Sequence, residues 1–111
     1  MAMSKLQTIS EEQWEEQVLR CAAPVLVDFR APWCHALVLQ DRLLELISED
    51  YGEKIKVVLV DIVRSVDLAL SYRVQDVPAL TLFVQGRMVY SYSGPKRIEK
   101  MLDRQLSPVI S

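Results

Sequence analysis

The chain reads as an α/β protein, a central mixed β-sheet flanked by helices on both faces, with elements in the order βαβαβαββα. Three observations predict it. Val25-Leu26-Val27-Asp28-Phe29 and Ile55-Lys56-Val57-Val58-Leu59-Val60-Asp61-Ile62 are nearly continuous apolar runs, the kind found where a strand is covered on both sides. Helical periodicity separates them, and alternating βα units imply a parallel core. Near the end, Gln85-Gly86 sits between two strand-like runs, the mark of a tight hairpin that adds antiparallel strands.

Taken in order, Leu6-Gln7-Thr8-Ile9 alternates and is expected as a short edge strand. Ser10 followed by Glu11-Glu12-Gln13 has capping-box spacing, with acids in the first turn, so a helix begins there. Its apolar face is Trp14, Val18 and Leu19 or Cys21, and Pro24 stops it. Residues 25–29 form a central strand. A long helix follows over residues 33–51, closed by Gly52, and residues 55–62 form the next strand. Ser65 caps a short helix with Leu68, Ala69 and Tyr72 on its apolar side. Val77-Pro78 leads into a strand over residues 79–84, since proline suits a strand's first position and not its middle. Residues 88–93 return from the hairpin, with Met88, Tyr90 and Tyr92 on one face. Gly94-Pro95 breaks the chain before a last amphipathic helix over residues 96–106, carrying Ile98, Met101, Leu102 and Leu106.

Length and charge bound the function. With 111 residues, half of them apolar and a quarter charged, one domain over residues 1–111 is expected. A net charge of −2 argues against nucleic acid or an anionic membrane surface as partner. No apolar run approaches a membrane span. Residues 1–16 hold one lysine, several acids and no apolar block, so they do not read as a secretory signal and a cytoplasmic location is expected. Two cysteines are too few for a disulfide scaffold and fit a reducing compartment.

The chemistry gathers at Cys34. A cysteine at the start of a helix faces unpaired backbone N–H groups and the positive end of the helix dipole, which favour thiolate over thiol. His35, the chain's one histidine, stands beside it and would favour the thiolate when protonated. Adjacent helical residues diverge by about 100°, so ring–sulfur contact does not follow from adjacency. A Cys-His pair supplies too few ligands for zinc, and no metal or cofactor is expected.

These residues resemble the thioredoxin family along nearly the whole chain. Val25-Leu26-Val27-Asp28-Phe29 with Ala31-Pro32-Trp33-Cys34 looks like the family's central strand and active-site entry. Val77-Pro78 sits where the family has its cis-proline, and Gly86 and Gly94 fall at its hairpin and substrate-loop glycines. The resemblance implies a thioredoxin-like fold. It also implies a peptide-binding rim of Trp33, Val77, Pro78 and Gly94 around the thiol, and a buried acid, Asp28, placed to relay a proton. A cis-proline leaves the preceding residue's backbone free to pair with an extended partner.

The chain departs from the pattern in its motif and at three other positions. Where the family has Trp-Cys-Gly-Pro-Cys, this chain has Trp33-Cys34-His35-Ala36-Leu37, and leucine cannot resolve a mixed disulfide. Leu59 replaces a lysine near the buried acid, Arg30 replaces a tryptophan, and Arg42 replaces the proline that kinks the long helix. With that lysine gone, Asp28 is expected as a desolvated acid with a raised pKa, bonded to water if it has lost its task. Cys21, the other cysteine, precedes the strand that leads to Cys34. At least about five extended residues of roughly 3.3 Å each separate the two, too far for a disulfide, and Cys21 is expected as a packing residue.

The function expected is thiol–disulfide exchange through Cys34 alone, by a monomer. It would form mixed disulfides with a protein partner or glutathione, or pass through a sulfenic acid, and an external thiol would release it. The alternatives are a redox-inactive binding or chaperone-like module that keeps the peptide groove, and a dimer linked through Cys34 or Cys21.

Overall fold

A computed structural model of the chain describes residues 6–34 and 37–93. The expected last helix over residues 96–106 lies outside the described residues, as do His35 and Gly94. Within them the strands are β1 (Gln7–Thr8), β2 (Val25–Arg30), β3 (Lys56–Asp61), β4 (Ala79–Val84) and β5 (Arg87–Ser93). The helices are α1 (Glu11–Trp14), α2 (Leu37–Tyr51) and α3 (Val66–Ser71). The sheet order is β1-β3-β2-β4-β5, so β2 lies at its centre. Strands β1, β3 and β2 run parallel, while β4 runs antiparallel to β2 and β5 to β4.

The apolar runs explain this placement. Alternate side chains of β2 feed two cores, since successive residues of a strand face opposite ways. Val25, Val27 and Phe29 join Trp14, Val18, Leu68 and Phe83 on one face. Leu26 joins Leu44, Ile47, Leu59 and Leu82 under α2 on the other. On the first face Trp14 meets Phe83 edge-on with centroids 5.2 Å apart, and its indole N–H donates to the Tyr72 hydroxyl at 3.3 Å.

The Ser10 start holds. The Ser10 N–H donates to Gln13 Oε1 at 2.9 Å, and the Gln13 N–H to the Ser10 carbonyl at 3.1 Å. The helix does not run on to Pro24. After Trp14 it widens into a π-helical turn, Glu15–Leu19, whose Glu15 and Val18 carbonyls accept the Arg20 and Cys21 N–H groups. Lys56 reaches across from β3 to donate to the Gln17 carbonyl at 3.1 Å. Cys21 packs, half-buried, against the first core and is a free thiol.

The β4–β5 hairpin turns through Gln85 (φ 50°) and Gly86 (φ +79°). A Cβ at Gly86 would stand 2.9 Å from the Leu19 carbonyl oxygen, a backbone atom that cannot swing away. Gly86→Ala is therefore expected to destabilise the fold by about 1–3 kcal/mol through left-handed strain and this clash. A urea-unfolding midpoint equal to that of the parent would refute this.

Candidate active site at the carboxyl end of the central strand

Strand β2 ends at Arg30, and the chain turns at once. The Cys34 N–H donates to the Ala31 carbonyl at 3.0 Å, closing a turn over Pro32 and Trp33. The expected helix start at residue 33 is thereby corrected. Pro32 and Trp33 form the turn because the Ala31 carbonyl is taken three residues on, and the described helix opens at Leu37. The same turn brings the Ala31 N–H to 3.4 Å from the Cys34 sulfur. Cys34 is half-buried and free, and Trp33 beside it is 61% exposed.

The neighbouring strands flank the end of β2. The Ile62 N–H donates to the Arg30 carbonyl at 2.9 Å, which fixes the loop after β3 against the cysteine turn. On the other side Phe29 is the register partner of Ala79. The β2–β4 pairing ends there, one residue short of Arg30 on β2 and of Pro78 before β4. The Val77–Pro78 peptide bond is cis, Pro78 is buried, and Val77 packs against the first core.

Beneath this turn lies a polar cluster that the sequence reading described incompletely. Asp28 is fully buried, at 0% exposure, on the α2 side of β2. Its register partner on β3 is Leu59, as expected from the missing lysine. The acid is nevertheless not left to water. Arg30, two residues on and so on the same face, donates from Nε to Asp28 Oδ2 at 3.1 Å and from Nη2 to the same oxygen. Nη2 also donates to Asp41 Oδ1 at 2.6 Å, so one guanidinium of 14% exposure bridges two carboxylates.

Burial pushes the Asp28 carboxyl above its ordinary value of 3.8, and Asp41 adds to the rise. The Arg30 charge, its hydrogen bond and the Gln40 amide pull the other way without cancelling it. Asp28 Oδ1 and Gln40 Nε2 are both buried and lack a partner at hydrogen-bond distance among the described residues. For Arg30, burial alone would lower the pKa, but its two carboxylate partners outweigh burial and raise it.

Two signals in the sequence point to these partners. The strand period of two places Arg30 on the Asp28 face. The helix spacing Leu37, Gln40, Asp41, Leu44 places both polar residues on the stripe that α2 buries. Reading Arg30 only as a lost tryptophan missed the first signal.

Comparison with known proteins covers nearly the whole chain. The thioredoxin family model matches residues 5–106. Among curated relatives, "Thioredoxin C-2" of Corynebacterium nephridii is 36% identical over 85 residues, covering 77% of this chain and 79% of the relative. "Thioredoxin 1" of Synechococcus elongatus is 31% identical over 107 residues, covering 94% of this chain and all of the relative. A chloroplastic "Thioredoxin M-type" of Spinacia oleracea is 29% identical over 96% of this chain and 61% of its own length.

Proposed function

The chain belongs to the thioredoxin family, and from that premise we propose that this thioredoxin-like redox protein exchanges disulfides through Cys34 alone. The observation that carries the reading is Leu37. It heads the described part of α2, in the place of a second motif cysteine, with a half-buried aliphatic side chain. Cys21 packs at the opposite end of β2, six residues long, so neither end of the strand offers Cys34 a second sulfur.

The Cys34 thiolate attacks one sulfur of a partner disulfide. A new S–S bond forms, the old one breaks, and the other partner sulfur leaves as a thiolate. An external thiolate then attacks the Cys34 sulfur, and the partner leaves with both of its sulfurs reduced. A second external thiolate attacks the thiol now bound to Cys34, so that Cys34 departs as thiolate. The Ala31 N–H, 3.4 Å from the sulfur, stabilises charge on Cys34 as it leaves. Exposed Trp33 and the Val77–Pro78 segment supply the surface against which an extended protein partner docks. Asp28, tied to Arg30, has a structural task in this scheme and no proton to relay. A reducing cytoplasm is the compartment that supplies the external thiol.

Trp33 and the 86%-exposed Val38 also suit the groove-only reading, in which partners bind without exchange. Trapping separates the two. Wild-type protein incubated with a cell extract and quenched with alkylating agent is expected to carry disulfide-linked partners that reductant releases and that Cys34→Ser lacks. The exchange reading falls if Cys34→Ser retains the same partners without a covalent link.

A further inference from the structure

We infer that the cavity on the β3 side of the cysteine turn binds a small zwitterionic thiol peptide, and that this peptide is the external thiol that frees Cys34. The inference rests on the exchange reading above. The cavity measures about 330 Å³, within the range of small-molecule sites. Its walls are Thr8, Arg30, Ala31, Pro32, Asp61 and Arg64, from the carboxyl ends of three parallel strands and the loops that follow them. Leu37 closes it on the α2 side, so the side chain that replaces the resolving cysteine is itself a wall of the space. The Cys34 sulfur is hydrogen-bonded to the amide of another wall residue, Ala31.

The polar groups suit a ligand bearing both charges. Arg64 is exposed and in no ion pair among the described residues. Arg30 spends Nε and Nη2 on the two aspartates, while its Nη1 meets no acceptor among the described residues. Asp61 uses Oδ1 to hold the Val63 N–H at 2.8 Å, and its other oxygen has no such partner among the described residues. Two guanidinium groups offer donors to carboxylates, and one carboxylate faces an ammonium. A purely anionic ligand fits less well, because Asp28 and Asp41 already offset Arg30.

The chemistry balances with two such thiols. The first peptide thiolate attacks the Cys34 sulfur of the mixed disulfide, expelling the partner's thiolate and leaving Cys34 linked to the peptide. The second attacks the peptide's sulfur, releasing the Cys34 thiolate and a peptide disulfide that carries the two electrons' worth of oxidation away.

The reverse of that last step gives the test. Mass spectrometry follows mixed-disulfide formation on Cys34 by oxidised glutathione, the zwitterionic probe, and by uncharged 2-hydroxyethyl disulfide. Wild-type protein is expected to prefer the charged probe. Arg64→Ala is expected to cut the ratio of the two rate constants about tenfold, as for loss of one charge-assisted hydrogen bond, and Arg64→Glu to cut it further. If both variants leave the ratio unchanged, or slow both probes alike, the cavity does not recruit the peptide, though Cys34 exchange stands. If Cys34 of the wild type reacts with neither probe, the exchange reading falls as well.

Discussion

Replacing Leu37 by cysteine is expected to raise insulin-disulfide reduction by at least about a hundredfold, starting from an almost blank wild type. The gain comes from changing an intermolecular step into an intramolecular one. In the wild type, the Cys34 mixed disulfide waits for a thiol from solution, present at millimolar concentration. A thiol fixed three residues along competes as a neighbour, and well-oriented neighbours reach effective concentrations of about 10⁵–10⁸ M. A minute fraction of that advantage suffices. The new sulfur also enters at the position that heads the described part of α2, and Cys-x-x-Cys spacing is one that lowers thiol pKa values. Leu37→Ser serves as the control, removing the same aliphatic bulk without supplying sulfur. The expectation fails if the cysteine variant still accumulates the mixed disulfide, or if the serine variant gains as much activity.

Much of this fold was legible because its strands are buried on both faces. An apolar run such as Val57-Val58-Leu59-Val60 has few other places to go, and β3 occupies Lys56–Asp61. The Gln85-Gly86 turn was equally legible, since both residues take positive φ. The π-helical turn over Glu15–Leu19 was not. It depends on where the hairpin tip and Lys56 meet the helix end, contacts made by residues distant in sequence. The site divides the same way. Cys34 is read from local spacing, and the roles of Leu37 and the Val77–Pro78 segment follow from the family resemblance. The Arg30–Asp28 pair follows from the strand period, whereas the Arg30–Asp41 contact depends on β2 lying under α2, which only tertiary packing establishes.

That shared guanidinium carries the largest stability effect expected in the molecule. Arg30→Leu would leave the fully buried Asp28 without a cation, and removing one partner of a buried pair typically costs about 3–5 kcal/mol. The loss depends on pH in a definite sense. Burial already holds the Asp28 carboxyl above 3.8, so the native state favours its neutral form. Asp28's contribution to stability is full below that ordinary value and declines as pH rises through the raised one. Without Arg30 the carboxyl rises further, and the decline extends to higher pH. The difference in urea-unfolding free energy between Arg30→Leu and the parent should therefore be largest at neutral pH and shrink toward acid. Adding Asp28→Asn to Arg30→Leu should restore most of the neutral-pH loss, because an amide needs no counter-charge. A deficit that stays constant across pH, or persists undiminished in the double variant, would mean that Arg30 acts through its packing volume and not through its charge.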